Sequence, residues 1–209
     1  MEMARLFVSD LSTEAVPPSN PHYEAYSFAL PCEVGMYLQR IGQNPDAPVE
    51  AILAFDDSTP DKVVGFLVYL PIPTNPEACG VCYMAVLQSH RRHGIGSAMM
   101  REAMARYSYV ELTCPIKKVA FYEQLGFQVI DAEGTQVVMN TRAGSSPELM
   151  GLVNAAEIWG SPQMAQIHEQ LVQRWGRKEL AKGEKQLRRQ VEQLERQAAS
   201  YVRERLAEH

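Results

Sequence analysis

Between Gly80 and Ser97 the chain reads Gly-Val-Cys-Tyr-Met-Ala-Val-Leu-Gln-Ser-His-Arg-Arg-His-Gly-Ile-Gly-Ser. An apolar run of strand length gives way to a basic turn, Arg91-Arg92-His93, and then to Gly94-Ile95-Gly96-Ser97, where a helix is expected to open. Small residues let the backbone approach a ligand closely. The free N–H groups and the positive dipole end of a helix N-terminus favour an anion. The three basic side chains add charge of the same sign at the same place. The chemistry implied is the holding of a phosphate or pyrophosphate. The spacing is not that of a P-loop, which needs G-x-x-x-x-G-K-[ST]. Nor is it the G-x-G-x-x-G of a dinucleotide fold, because Met99 stands where the third glycine would be.

A helix over 95–107 and a strand over Tyr109–Cys114 separate this turn from a second motif, Phe121-Tyr122-Glu-Gln-Leu-Gly126-Phe127. An R-x-x-G-x-G turn after a strand, followed one helix and one strand later by F-Y-E-Q-L-G-F, resembles the cofactor-binding segments of the GNAT acetyltransferase superfamily. The resemblance covers residues 3–142. It implies an α/β fold with a central mixed, mostly antiparallel sheet flanked by helices, and acetyl-CoA as co-substrate. The loop Arg91, Arg92, His93, Gly94, Ile95, Gly96 and Ser97 would then hold the pyrophosphate. The backbone of Met84, Ala85 and Val86 would bond the pantetheine arm, in a gap where that strand splays from the strand at Tyr109–Cys114. Tyr122 is the implied general acid for the leaving thiolate, unless its ring is simply packed in the core. A neutral amine, of a protein or a small molecule, would attack the thioester directly, with much of the rate coming from positioning.

The chain departs from the family pattern in places. Pro115 and Lys118 stand where an Asn and an Ala are common, and Pro115 can donate no hydrogen bond. Lys117 and Lys118 are placed to face the 3′-phosphate of the cofactor instead. Gln88 and His90 replace a common proline and aromatic. An acceptor amine must lose a proton, so a base is useful. No acid stands at Gly80-Val81-Cys82, where some members carry a glutamate, and Glu50 is the substitute on offer, the alternatives being a water chain or an exposed strand-end charge.

The remaining elements frame these motifs. Arg5–Val8 reads as a first strand, the prolines at 17, 18 and 21 as an irregular link, and 31–42 as a helix with Pro31 in its first turn. Val49–Phe55 and Val63–Leu70 form a hairpin about the turn Asp56–Asp61. Phe127–Ile130 and Thr135–Asn140 form a last hairpin about Glu133-Gly134.

The 209 residues, 46% hydrophobic, suffice for one core domain and an appendage. No apolar run reaches the length of a membrane span, and the N-terminus lacks a signal-peptide pattern. Four cysteines, with Cys79-x-x-Cys82 lacking a second pair or nearby histidines, fit neither a disulfide scaffold nor zinc. Cys82 and Cys114 read as small core residues. The expectation is a soluble protein of a reducing cytoplasm, with no metal and no membrane partner. Residues 1–160 hold 10 Lys/Arg against 18 Asp/Glu, a balance of −8, and residues 161–209 hold 10 against 7, a balance of +3. An acidic body disfavours nucleic acid and attracts a cationic amine.

The domains expected are therefore a GNAT-like domain at 1–142, a linker at 143–160 carrying an apolar segment, Leu149–Trp159, and a helical, coiled-coil-like extension at 161–209. Leu180, Glu184, Leu187, Val191, Leu194, Ala198 and Tyr201 step by four and three, a heptad seam with one polar position. Gly176 and Gly183 each weaken that helix by about 1 kcal/mol relative to alanine. The seam must pack, either on a second copy or another protein, or back on the domain. Two functions remain open: an acetyl-CoA-dependent N-acetyltransferase, or a non-catalytic GNAT-fold interaction protein assembled through its C-terminal helix.

Overall fold

The computed structural model describes residues 2–148 and 150–207. Its centre is a six-stranded sheet of β1 (Glu50–Asp56), β2 (Thr59–Ile72), β3 (Asn75–Val86), β4 (Tyr109–Cys114), β5 (Gln128–Glu133) and β6 (Gln136–Asn140). The strand order is β1-β2-β3-β4-β6-β5. All neighbours are antiparallel except β3 and β4. A parallel pair requires a crossover, and α4 (Ile95–Arg106) supplies it. The sheet and its helices are of the mixed α/β kind that the motifs imply.

β2 is apolar almost without interruption from Val63 because both its faces are covered. Leu67 and Tyr69 point to one core, with Met99, Met100 and Ala103 of α4, Val110 and Leu112 of β4, and Tyr122 of α5 (Val119–Glu123). Phe66, Val68 and Leu70 point to the other, with Val34 and Tyr37 of α3 (Tyr23–Gln39).

Two N-terminal expectations are corrected. The segment read as a strand, Arg5–Val8, lies in two short helices, α1 (Glu2–Leu6) and α2 (Val8–Leu11). Ala4 and Val8 are wholly buried, and Leu11 packs beside them. Positions 4, 8 and 11 have helical spacing, which sets their conformation against α3. The helix expected over 31–42 begins eight residues earlier, at Tyr23, and carries Pro31 inside it rather than in its first turn. Proline there removes one backbone hydrogen bond, and burial of Ala25, Ala29, Leu30 and Val34 holds the helix together across it.

In the linker, Leu149 lies outside the described residues. Ala156–Trp159 forms α6, with Ile158 buried. The C-terminal segment is helical as α7 (Pro162–Ala207), but it is broken at Gly176, whose φ of 76° and ψ of 153° are not helical. Its apolar stripe is spent within the chain. Leu171 and Leu180 pack with Ala25 and Ala29 of α3, and Val202 enters the core beneath β4 and β6. The side chain of Asn20 donates to the Gly183 carbonyl at 3.0 Å, and a ring nitrogen of His22 meets the Leu180 carbonyl at 2.9 Å. The seam offered to a second copy is thus covered in cis. Among the described residues no helix is long and apolar enough to cross a membrane.

Candidate active site

β3 and β4 pair only from Ala78↔Tyr109 to Val81↔Leu112. Immediately beyond, β3 bulges: Val68 of β2 faces Tyr83 and Tyr69 faces Val81, leaving Cys82 as the extra residue. A bulge bends and twists its strand. From Tyr83 to Val86, β3 stays paired with β2 on one side, while its other edge has no strand partner among the described residues. The gap is part of a cleft of about 1320 Å³, lined by both strands and by the helices at their ends.

One end of this cleft is basic. After β3 the chain makes a single 3₁₀ turn at Gln88–His90, and Arg92 and Gly94 then adopt left-handed backbone, with φ of 66° and 79°. Gly94 is the N-cap of α4 and has no side chain to cap it. The first closing bond is Ala98 N–H to the Gly94 carbonyl, at 2.8 Å, and no protein partner among the described residues meets the amides of residues 95–97. No protein atom lies within 4 Å of where a Gly94 Cβ would stand. Three unpaired amides at a helix N-terminus above open space are a fitting seat for a pyrophosphate. Met84, Ala85, Val86, Arg91, Arg92, Gly94, Ile95, Gly96, Ser97 and Lys118 all line the cleft. His93 does not line it, a departure from expectation, because the left-handed step at Arg92 turns the chain before it. His90 lines it but sits 3.3 Å from the Asp56 carboxylate, whose own pKa the Ser58 hydroxyl and amide hold down at about 2.

Arg91 is already engaged. Its Nε donates to the Val86 carbonyl at 3.1 Å, its guanidinium stacks over Phe7 at 4.6 Å, and an Nη lies 3.5 Å from Asp10. Lys117 approaches the other oxygen of Asp10 at 3.2 Å. Burial raises the Asp10 carboxyl, but the Lys117 hydrogen bond and charge, then Arg91, outweigh it, leaving its pKa below the ordinary value.

Tyr122 lines the cleft with its ring held edge-on between Phe121, 5.0 Å away, and Phe127, 5.7 Å away. The residue is 8% exposed. No hydrogen bond to its hydroxyl is found among the described residues, and the oxygen is not sealed from solvent. Burial, with Cys114 as a lesser cause, pushes its pKa above the ordinary phenol value, so it carries its proton at neutral pH.

The opposite end is acidic and aromatic. Glu33 and Tyr37 of α3 line it together with Cys82, Tyr83, Tyr26, Trp159 and Glu14. Burial and then the neighbouring Glu33 carboxylate push the Tyr83 phenol up. Burial pushes the Cys82 thiol up to about 12, against the lowering effect of the Tyr37 hydroxyl. Cys82 is therefore part of the cleft wall as well as a packing residue. Tyr26 and Trp159 meet edge to face at 5.0 Å. Glu33 is half-buried, and its carboxylate lies close enough to the Tyr83 hydroxyl to accept a hydrogen bond from it.

The expected base, Glu50, is elsewhere. Its oxygens accept from the Tyr69 hydroxyl at 2.6 Å and the Tyr107 hydroxyl at 2.8 Å, and Arg106 lies 3.6 Å away. It does not line the cleft. Alternation along β1 turns Glu50 toward the α4 face of the sheet, opposite the face that α3 covers. Glu33 was missed because it lies on a helix whose facing partner, β3, is far away in sequence.

Residues 48–129 match the family model of the acetyltransferase (GNAT) domain. Over this stretch the chain resembles a GNAT acetyltransferase domain. No curated protein matched the chain in a sequence comparison. Among solved structures, the PaiA N-acetyltransferase from Thermoplasma acidophilum, solved in complex with coenzyme A, is 20% identical. The match covers 68% of this chain and 89% of that one, with a TM-score of 0.52, which shows a shared fold. A GNAT family acetyltransferase from Elizabethkingia anophelis with acetyl-CoA bound is 14% identical over 51% of this chain and 79% of that one, with a TM-score of 0.41. Nourseothricin acetyltransferase is 19% identical over 46% of this chain and 65% of its own length, with a TM-score of 0.40. This chain thus spans just under two thirds of that last structure.

Proposed function

We propose that this chain is an N-acetyltransferase that moves an acetyl group from acetyl-CoA to a primary amine carrying a positive charge. The observation that carries the reading is the parting of β3 and β4 after Val81 and Leu112, directly below the uncapped N-terminus of α4. The open edge Cys82–Val86 offers backbone N–H and C=O groups to an amide-bearing arm, with Met84, Ala85 and Val86 nearest the turn. The amides of residues 95–97, Arg92 and Lys118 would hold the diphosphate and the further phosphate. Acetyl-CoA supplies an activated thioester. The chain's own residues orient it, keep water out and move two protons.

Glu33 takes the place assigned to Glu50 on sequence grounds. Its carboxylate would accept a proton from the acceptor ammonium, leaving a neutral amine to bond to the acetyl carbon. Tyr122 would give its proton to the sulfur as the carbon–sulfur bond breaks, the nitrogen would shed its second proton through water to restore the phenol as the amide forms, and Glu33 would release the first proton to bulk solvent. Glu33 and Glu14 attract a cation to this end, and the faces of Tyr26, Tyr37, Tyr83 and Trp159 suit one. The balance of −8 over residues 1–160 acts in the same sense.

The C-terminal helix, its seam covered in cis, is read as part of the folded body rather than as an assembly device. Thiol release from acetyl-CoA, followed against a panel of polyamines, lysine peptides and neutral aromatic amines, tests the reading. Turnover with the cationic acceptors supports it. Binding of coenzyme A without transfer to any member of the panel would favour the non-catalytic alternative.

A further inference from the structure

Residues 7–15 cross the mouth of the cleft, and each stretch of them is tied to a different element. Phe7 lies under the Arg91 guanidinium, 4.6 Å from its centre. Asp10 bridges Arg91, at 3.5 Å, and Lys117, at 3.2 Å. Arg91 follows β3 and Lys117 follows β4, so this one carboxylate links the ends of the two strands that part. Farther along, the Thr13 carbonyl accepts from the Thr135 hydroxyl in the β5–β6 turn at 2.5 Å. The carbonyls of Glu14 and Ala15 both accept from the Gln190 side chain of α7 at 3.0 Å. Ala15 takes a left-handed φ of 49°, and the Ser9 hydroxyl closes the loop onto the Val16 carbonyl at 2.6 Å. Phe7 and Asp10 to Glu14 all line the cleft.

The charge placement is what calls for an explanation. Arg91 opens the basic turn, and Lys117 stands one residue from Lys118, which lines the basic end. In the chain alone, their counter-ion is a carboxylate carried in by a short N-terminal segment. A phosphate group placed at this end of the cleft meets the same two cations. Both pairs are partly solvent-exposed, with side-chain exposures of 38% for Asp10, 39% for Arg91 and 64% for Lys117. Ion pairs of that kind are weak. A ligand with several negative charges and the amides of residues 95–97 as further partners can replace them.

We propose that residues 7–15 form a strap over the cofactor mouth and that Asp10 sets the affinity for acetyl-CoA, by holding Arg91 and Lys117 until the phosphates of the cofactor displace it. This rests on the acetyl-CoA reading above. Asp10 is then a specificity-setting residue of the cofactor subsite: a ligand too weakly charged to take both cations leaves the strap closed. The strap also borders the acceptor end through Glu14. Its release therefore couples cofactor entry to the shape of the amine pocket.

The test is calorimetric titration of the full chain with coenzyme A, comparing wild type with Asp10→Asn and Gln190→Ala, alongside hydrogen exchange of residues 7–15. Asp10→Asn keeps the shape and removes the charge, and is expected to bind at least threefold more tightly. Gln190→Ala loosens the far anchor and is expected to shift affinity the same way. In wild type, coenzyme A should speed exchange across residues 7–15. If wild type binds and both variants bind no more tightly while keeping its unfolding temperature, the strap proposal is overturned and the acetyl-CoA reading stands. If no form binds coenzyme A, the acetyl-CoA reading fails and the strap proposal falls with it. Should Asp10→Asn not fold, the Gln190→Ala titration decides alone.

Discussion

Val81 of β3 and Leu112 of β4 are the last partners on the only parallel ladder of the sheet. One residue later Cys82 is bulged out of register with β2, and the strands separate. Everything proposed for this chain depends on that divergence. It frees an edge of β3, sets the Arg91–Ser97 turn above it, and leaves Tyr122 and Glu33 at a common opening.

The two glutamates considered as base are expected to separate cleanly. Glu33→Gln should lower kcat by about 10²- to 10³-fold, the usual range for a lost general base, with little change in melting temperature. Glu50→Gln should do the reverse. Its carboxylate accepts from Tyr69 and Tyr107, and loss of the charged acceptor at this partly exposed site should cost about 1 kcal/mol of stability. Turnover and thermal unfolding measured on both variants decide between them. A loss of turnover confined to Glu50→Gln would reject the Glu33 assignment.

Tyr122→Phe removes a hydroxyl that bonds to nothing among the described protein residues and keeps the ring between Phe121 and Phe127. Stability should move by less than about 0.5 kcal/mol, as for changes that leave packing and bonding intact. If the phenol protonates the leaving sulfur, kcat should fall by about 10²-fold or more while KM changes little. Steady-state kinetics at saturating amine read this directly, and unchanged kcat would return Tyr122 to a packing role.

The sequence made the motifs legible and left their partners hidden. The turn at Arg91–Ser97 and the helix after it could be placed to within a residue, because glycine spacing and a strand-to-helix switch are local signals. The strand assigned to Arg5–Val8 was wrong because a four-residue apolar run has no period long enough to separate strand from helix. Only its contacts with α3 settle that. The heptad stripe from Leu180 to Tyr201 correctly marked an apolar face, but a stripe does not state what covers it, and here the cover is α3 and the sheet. Glu50 drew attention as the acid beside a strand. Its direction depends on pleat phase, and that was set by β2, not by its own neighbours.

Gly183 tests the docking of α7. On helix propensity alone, Gly183→Ala should stabilise by about 1 kcal/mol. An alanine Cβ there would stand 2.8 Å from Cδ of Pro21, a rigid ring atom. Overpacking of this kind costs about 1–3 kcal/mol, so the net expectation is destabilisation, seen as a lower melting temperature. A higher melting temperature would mean that α7 does not sit against Pro21.

Leu171 is 1% exposed between α7 and α3. Leu171→Ala should cost about 3 kcal/mol, within the range for buried leucines, by denaturant titration. A cost below about 0.5 kcal/mol, the size of a surface change, would show that the C-terminal helix is free of the domain in solution.

The central claim is that the open edge of β3 and the uncapped turn of α4 form an acetyl-CoA site. Calorimetric titration of wild type and Gly94→Trp with acetyl-CoA tests it most directly. A tryptophan at this left-handed position, where nothing of the protein lies within 4 Å, fills the seat of the pyrophosphate. The account predicts saturable binding by wild type and none by a Gly94→Trp protein that still unfolds cooperatively. Equal binding by both, or no binding by folded wild type, would contradict it.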